Sequence, residues 1–469
     1  MCSQPADALE SELLEIKGWC KDEKELTEKL ADAASCLANH EGGVVLVGIG
    51  EGSKNQRFSR CPFPNLSPTW LVARVQDNTH PPVECHGLDL TSVLAEVRGT
   101  SDAHVFALQV QRKKCVSGHA TSKGISRVRS GKECKPLFIS EDDRTKMVVS
   151  DATMDELSVG SIQWAISQHN RHFPAAETFA DCWDFLARDG LLLPDENGSG
   201  HVTLAALLLF GKDASFSRRS VACDTVINIH GEHRTLRKNI IESLREAILS
   251  ERAALRVALL SVPETTLREL AVNAYVHRCW RTNGPVTLTV SDTAFDIQNP
   301  GDLLAGLHVG NLLYGVPVYR NFLLAEGMRF CGLSDKIGLG IDLVFKTVLS
   351  GGFDFPVFES SNGMFRASIP LSRSEEFREF VRHRGASLSQ LDELVVLRYL
   401  WGASEASFQQ LSDALQRGRD IARRVVQAME KKQMIEIVGG MFRLTPALRL
   451  DIDRSFNADQ MSLDLFGTA

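Results

Sequence analysis

The sequence predicts a multidomain α+β chain, and three observations predict it. The chain has 469 residues, and at about 150 residues per domain three domains are the natural expectation. Helical stripes alternate with short apolar strands bounded by glycine turns, the mixed pattern of α/β units. The C-terminal part reads helix, helix, helix, hairpin, the layout of a winged helix-turn-helix. With 43% hydrophobic and 24% charged residues, a wholly disordered or fibrous chain is excluded. Lys and Arg number 52 against 59 Asp and Glu, a net charge of −7. That balance excludes a uniformly basic, histone-like protein but leaves room for a local basic face.

The elements follow in order. Residues 8–40 read as helical: Leu9, Leu13, Leu14 and Ile16 form one apolar stripe, and Leu26, Leu30, Ala33, Ala34 and Leu37 another. Glu41-Gly42-Gly43 then turns the chain into a strand over 44–47, which ends in Gly48-Ile49-Gly50-Glu51-Gly52. A second strand is expected over 105–110. Residues 112–135 read as a polar arm with Arg112, Lys113, Lys114, Lys123, Arg127, Arg129, Lys132 and Lys135 against Glu133 alone. These elements make a first domain over 1–148. A helical connector over 149–212 closes with the apolar run TLAALLLFGK, a helix or a buried strand. An α/β unit over 213–373 is expected to run from a helical region into a helix at 267–276. Strands at 286–290 and 294–298, a Gly-rich loop, a helix from Ile341 and a strand at 364–369 follow. The charged segment SRSEEFREFVRHR reads as a linker. In the last unit, 374–449, Ser407 to Gln410 form a capping box, a third helix spans 419–432, and Gly439-Gly440 turns the hairpin. Residues 450–469 read as a tail.

The eleven cysteines run from Cys2 to Cys331 with no CxxC spacing and an odd count, which reads as reduced thiols in a cytoplasm. The start MCSQPADALE is acidic without an apolar core, so no signal peptide is expected. Apolar runs such as 202–210 are too short for a bilayer, so the chain is expected to be soluble, with no membrane partner. His169 with His172 and His230 with His233 have HxxH spacing. No Cys or acid at ligand spacing completes a zinc site, and they read as surface histidines.

The strongest chemical signal lies in the α/β unit. Glu269 and Asn273 stand four apart on a helix and share a face. An amide oxygen is a hard ligand for Mg²⁺, and a carboxylate orients or deprotonates an attacking water. Asn299-Pro300-Gly301 follows a strand, where Asn299 is placed to accept from a purine amine. Gly338-Leu339-Gly340 opens a helix whose backbone N–H groups can approach phosphates. Each piece has a plainer reading: a surface pair, a proline turn, an ordinary helix start. Their order favours the nucleotide site.

TLRELAVNAYVHR, DIQNPGDL, YRNFLLAEGM and LSDKIGLGIDLV together resemble the GHKL (Bergerat-type) ATP-binding domain, an ATPase-like α/β sandwich. The variant resembled is that of AlbA-like, RecG-annotated bacterial regulators. The resemblance implies ATP and Mg²⁺ as cofactors. It makes Glu269 the catalytic base and Asn273 the magnesium ligand. It places Asn299 and Gly301 at the adenine box, Gly338 and Gly340 at the phosphate box, and Arg320 in the lid. Asn299 stands where the wider superfamily has Asp; its amide oxygen still accepts from the adenine amine.

In the N-terminal part, the run from Glu10 through Glu12 and Glu15 to Lys17, with Ala38 to Val44, Gly48-Ile49 and GISRVRSGKECKPL, resembles the Schlafen-type AlbA-like domain. The resemblance implies nucleic-acid binding and, as in some members, a metal-dependent nuclease built on three carboxylates. Glu10 and Glu15 match two of them, and Glu51 stands where the third, often Asp, belongs. Such a cluster holds Mg²⁺ or Mn²⁺. The alternative is a structural or nucleic-acid-positioning role: acids in the first turns of a helix are favoured by its dipole. Arg112, Lys113, Lys114, Arg127 and Arg129 are expected to contact phosphates, unless the arm is a solvated loop.

Around the third helix of the winged unit, Arg417, Arg419, Arg423, Arg424, Lys431 and Lys432 suit a DNA backbone, against a protein–protein role. The tail peptide with Gln460, Leu463, Leu465 and Phe466 is similar to the short ligands of the bacterial sliding clamp, unless it docks on its own chain. The combined expectation is a homo-oligomeric, ATP-regulated nucleic-acid-binding protein with a candidate nuclease domain, in phage defence or a stress response. The alternatives are an ATP-sensing transcriptional regulator that binds DNA without cutting it, and a replisome factor recruited by the sliding clamp.

Overall fold

The computed structural model describes residues 9–50, 58, 61–63, 66–98, 104–112, 119–122, 126–130, 133–136, 138–139, 143–173, 179–194, 200–219, 221–250, 253–304, 307–313, 318–334, 340–384 and 390–452. The N-terminal part runs β1 (Leu14–Lys17), α1 (Glu23–Ala38), β2 (Gly43–Val47), α2 (Pro68–Asp77), β3 (Thr79–His80), β4 (Cys85–Asp89), α3 (Thr91–Arg98), β5 (Phe106–Val110), β6 (Ala120–Thr121), β7 (Arg127–Ser130), β8 (Glu133–Pro136) and β9 (Phe138–Ile139). Its sheet has the order β1-β2-β5-β4. Residues 8–40 are therefore not all helical. Leu14, Glu15, Ile16 and Lys17 pair in parallel with Val44, Val45, Leu46 and Val47. Leucines at positions 13 and 14 and Ile16 fit a helical stripe and a strand equally; the β2 partner decides. Gly43, at φ +147°, permits the close approach, since a Cβ there would stand 2.4 Å from the Leu13 carbonyl oxygen. The second apolar stripe is the buried face of α1, capped by the Asp22 side chain.

The segment expected as a polar arm holds β6 and the β7–β8 hairpin. Asn39, at the C-terminus of α1, ties it down by donating to the carbonyls of His119 and Arg127, both at 2.8 Å. Cys36 and Cys134 form a disulfide between α1 and β8, which corrects the expectation of uniformly reduced thiols. A separation of 98 residues leaves no spacing signal for such a pair.

Next come α4 (Val159–His172), α5 (Cys182–Arg188), the short pair β10 (Leu192–Leu193) and β11 (His201–Val202), α6 (Leu204–Phe210) and α7 (Asp213–Arg219). The run TLAALLLF is the buried helix α6. His169 is not at the surface: it is buried against Phe173, Phe179, Phe185 and Phe330, and its Nδ1 lies 2.7 Å from the Phe330 carbonyl oxygen.

The second sheet is built from β12 (Thr225–Ile229), β13 (Glu232–Leu236), β14 (Val286–Val290), β15 (Ala294–Pro300), β17 (Val357–Ser361) and β18 (Met364–Pro370), in the order β13-β12-β14-β15-β18-β17. Helices α8 (Ile240–Leu244), α9 (Ala254–Ala258) and α10 (Glu264–His277) lie in the crossover between the parallel strands β12 and β14. Strand β16 (Val318–Tyr319) and helices α11 (Phe322–Phe330) and α12 (Gly340–Ser350) separate β15 from β17. The strands β12, β13 and β17 were not anticipated; β13 and β17 are edges whose mostly exposed residues lack a continuous apolar signal. The segment read as a linker folds as α13 (Glu375–Arg384), because Phe377 and Phe380, three apart, are both buried.

At the C-terminus α14 (Leu391–Ala403), α15 (Phe408–Leu415) and α16 (Arg419–Lys431) precede the hairpin of β19 (Ile435–Val438) and β20 (Met441–Leu444), the expected order. Ser407 and Gln410 form the capping box, and Gly439 and Gly440 turn the hairpin at φ +61° and +82°. One apolar cluster runs from the connector through the six-stranded sheet to this hairpin, and a second fills the N-terminal part between α1, α2 and its sheet. Among the described residues no helix is long and apolar enough to cross a membrane.

Candidate functional site

Helix α10 packs against β15 and α12, and a cavity of about 160 Å³ opens beside it. Glu269, Asn273, Asn299, Gly301, Arg320 and Gly340 all line it, so residues 71 positions apart by number meet at one site. Gly338 lies outside the described residues. Glu269 and Asn273 stand one turn apart, and the Asn273 amide nitrogen donates to Glu269 Oε1 at 3.4 Å. With its nitrogen engaged by the carboxylate, Asn273 has its carbonyl oxygen as the acceptor end of the amide. Gly340, the first residue of α12, sits directly on this pair. A Cβ there would fall 1.9 Å from Glu269 Oε1 and 3.0 Å from Asn273 Nδ2. The start of an 11-residue helix thus abuts a carboxylate and an amide, a cradle suited to phosphate and Mg²⁺.

At the other wall Asn299 is buried at the end of β15, opposite Phe365 of β18. Its Nδ2 donates to the Pro300 carbonyl at 3.2 Å, which assigns the remaining oxygen as an acceptor. Ile297, Phe358, Phe365 and Ala367 give this end an apolar surface. Gly301, at φ +119°, turns the chain out of β15 and donates to the Gly363 carbonyl at 2.7 Å. Arg320 is held at the rim by the carbonyls of His277 (3.0 Å) and Asp302 (2.5 Å). The His277 imidazole is pushed down to about 4 by burial, with the charge of Arg320 adding to the effect. It stacks on Tyr319 at a ring-centre distance of 6.0 Å.

Sequence reasoning missed His277, Tyr319 and Arg329 as lining residues. Arg329 is buried in α11 yet faces the cavity. Its partners are Glu326 at 3.3 Å and Glu41 of the N-terminal part. Burial opposes its charge, but the carboxylates of Glu326, Glu41 and Asp189 outweigh it, and its pKa rises above the ordinary value. The signal available was an Arg and a Glu three apart in the otherwise apolar FLLAEGMRF.

The N-terminal carboxylates are arranged differently from the expectation. Glu15 lies on β1, not in a helical first turn, so the dipole argument does not apply to it. It is buried and paired with both Arg129 and Lys17. Glu10 Oε1 accepts from the Ile16 backbone at 3.1 Å. Glu51 lies outside the described residues. Among the described residues no group of three or more His, Cys, Asp or Glu could hold a metal ion. A carboxylate already neutralised by two cations does not fit a metal centre, and Mn²⁺ has no support here.

The expected basic contacts divide. Arg129 is buried, donating to the carbonyls of Ser11 (2.7 Å) and Leu14 (3.2 Å) besides Glu15. Arg112 pairs with Asp189 at 3.3 Å and lies over Phe330, and burial pulls its pKa down. Arg129 is therefore not at the surface where a phosphate contact was expected, while Arg112 stays partly exposed. Arg127 pairs with Asp32 at 3.3 Å. Lys113 and Lys114 lie outside the described residues, as do Gln460, Leu463, Leu465 and Phe466. Arg419, Arg423 and Arg424 are exposed on α16, whose opposite face buries Ala422, Val426 and Met429. His230 and His233 are exposed, and His230 lies 3.2 Å from Asp292.

Residues 10–138 match the family model described as Schlafen, AlbA_2. Residues 283–369 match the model described as "Putative ATP-dependent DNA helicase recG C-terminal". The chain thus carries an AlbA-like domain and an ATPase-like domain. The second match begins after α10, so it covers Asn299, Gly301, Arg320 and Gly340 but not Glu269 or Asn273. Among solved structures, the chain is similar to the DIP2311 protein from Corynebacterium diphtheriae. The two share 20% identity over 94% of this chain and 80% of that one, with a TM-score of 0.57. That likeness is one of fold. No curated protein matches the chain.

Proposed function

We propose that this chain is an ATP-responsive nucleic-acid-binding protein, in which nucleotide held at the α10–α12 cavity sets the engagement of nucleic acid elsewhere on the chain. The observation that supports it is the cavity itself. An acceptor amide at an apolar slot and a carboxylate–amide pair under a helix start are what a base and a Mg²⁺-bound phosphate need. Asn273 is the residue to hold Mg²⁺, Asn299 to accept from the adenine amine, and Glu269 to orient water if ATP is turned over.

Binding without cleavage is the better reading of the AlbA-like domain, because Glu15 is occupied by Arg129 and Lys17. For DNA, the exposed arginines of α16 are the favoured contacts, as in a winged helix-turn-helix. The test uses the purified chain, a fluorescent ATP analogue and labelled RNA and DNA with Mg²⁺ or Mn²⁺. Asn273→Ala is expected to lose analogue binding, and wild type to change its nucleic-acid affinity when ATP is added. Retained binding in Asn273→Ala counts against the site. Cutting of any substrate that Glu10→Ala/Glu15→Ala abolishes would restore the nuclease reading.

A further inference from the structure

Helix α11 is apolar except for Glu326 and Arg329, and both are buried. A buried guanidinium needs a carboxylate; Arg329 pairs with Glu326 on its own helix and Glu41 in the turn that opens β2, and the charge of Asp189 adds to them. The residue nevertheless lines the cavity, with Ser334, Glu269, Asn273 and Gly340. Among the described lining residues Arg320 and Arg329 are the guanidinium groups. Arg320 already donates to two carbonyls. A triphosphate filling the space between Asn299 and Gly340 carries several negative charges, and a planar guanidinium binds such oxygens in a forked, charge-assisted geometry.

A second set of contacts joins the same two parts. Phe138 and Ile139 of β9 pair in parallel with Val318 and Tyr319 of β16, and both of the latter line the cavity. Asp143 accepts from the Leu323 backbone at 3.0 Å, at the start of α11. The N-terminal part therefore grips both β16 and the helix that carries Arg329.

We propose that Arg329 is a phosphate-binding residue of this cavity and that its ion pair with Glu41 couples nucleotide occupancy to the AlbA-like domain. The proposal rests on the nucleotide reading above. Phosphate oxygens compete with Glu41 for the guanidinium. As Arg329 turns toward them, Glu41 loses its ion-pair partner beside Glu326 and keeps only the nearby charge of Arg112, which weakens the hold on the turn before β2. Linkage makes the effect reciprocal: a ligand of the AlbA-like domain that draws Glu41 away alters nucleotide affinity by the same factor.

The experiment titrates the full chain with a non-hydrolysable ATP analogue and, separately, with adenosine, by calorimetry, and records hydrogen exchange over 41–47 with and without the analogue. Wild type is expected to change its exchange over 41–47 on binding. Glu41→Gln, which keeps size and a hydrogen-bonding group, is expected to bind the analogue about 5-fold or more tightly. It should bind adenosine as wild type does and lose the exchange response. Arg329→Met is expected to lose affinity for the analogue but not for adenosine; a thermal melt checks that it folds, and Glu41→Gln carries the test if it does not. Analogue affinity and exchange response in Glu41→Gln equal to wild type would overturn this proposal alone. Failure of wild type to bind the analogue would overturn the nucleotide reading and this proposal with it.

Discussion

Gly340 sets the tightest constraint at the cavity. A methyl group on it would meet Glu269 Oε1 at 1.9 Å, so Gly340→Ala must push aside a buried carboxylate. We expect nucleotide affinity to fall about tenfold or more, because a displacement near 1 Å at a positioning group commonly costs that much or beyond. A thermal melt should move little, since the collision is with one side-chain end. Wild-type affinity in Gly340→Ala would show that the helix start does not cradle the ligand. The histidines carry a pH dependence. His40, His169 and His277 all have lowered pKa values, in each case chiefly through burial. In the unfolded chain they titrate near about 6.5. The folded state therefore binds fewer protons than the unfolded one below that pH. Stability is full above about pH 6.5 and declines as the pH falls toward about 4, the folded value of His277. Melting temperatures measured from pH 7.5 to 4.5 should fall accordingly, and His277→Gln should flatten the curve. A slope unchanged in that variant would remove His277 as a source.

At the scale of elements, β1 depends on one side chain. Arg129 ties together the Ser11 and Leu14 carbonyls and the Glu15 carboxylate. Arg129→Met leaves Glu15 buried without that partner, and breaking a buried pair typically costs about 3–5 kcal/mol. Hydrogen exchange over 14–17 should rise sharply while the six-stranded sheet keeps its protection; equal protection of β1 would show that the β2 ladder suffices. Helix α16 makes a different prediction. If its exposed arginines meet DNA phosphates, Arg423→Ala/Arg424→Ala should weaken binding across sequences and lower the salt slope by about 2. An unchanged slope would take α16 out of the interface. These elements also show what the sequence could reveal. Helix α16, the capping box at Ser407 and the Gly439-Gly440 turn were legible because each is fixed by residues within one or two turns. So were Glu269 and Asn273, four apart on one helix. β1 was not, since its pattern fits two periodicities and its partner lies 30 positions on. The duties of Arg129 and Arg112 were hidden for the same reason: their carboxylates are 114 and 77 residues away, and composition shows charge without showing its partner.

At the scale of the whole molecule, the segment between Gly301 and Phe322 touches both the N-terminal part and the C-terminal unit. Its strand β16 pairs with β9 of the N-terminal part. The Leu313 backbone donates to the Gln416 side chain at 2.9 Å, and Gln416 is the left-handed residue (φ +50°) that closes α15 two positions before α16 is capped. The C-terminal unit is anchored separately, through Arg398 of α14 to the Phe353 carbonyl and Asp354. The segment also supplies Leu303, Leu304, Leu307 and Leu312 to the cavity, so a ligand that packs against these leucines acts on a stretch already held by the arginine-bearing unit. Coupling of this kind requires differential contact in the bound and free states, and the Leu313–Gln416 bond is one such contact among the described residues. Gln416→Ala removes the acceptor without touching the cavity or the arginines. ATP affinity in that variant should stay within about twofold, since linkage between two sites transmits only the coupling term. The change in DNA affinity caused by ATP should shrink, because the route from the leucine-lined segment to α16 has lost its polar link. Fluorescence anisotropy with labelled DNA, with and without the ATP analogue, measures both quantities on one sample. If Gln416→Ala responds to nucleotide as wild type does, the C-terminal unit takes its signal through the apolar cluster it shares with the six-stranded sheet and not through this hydrogen bond.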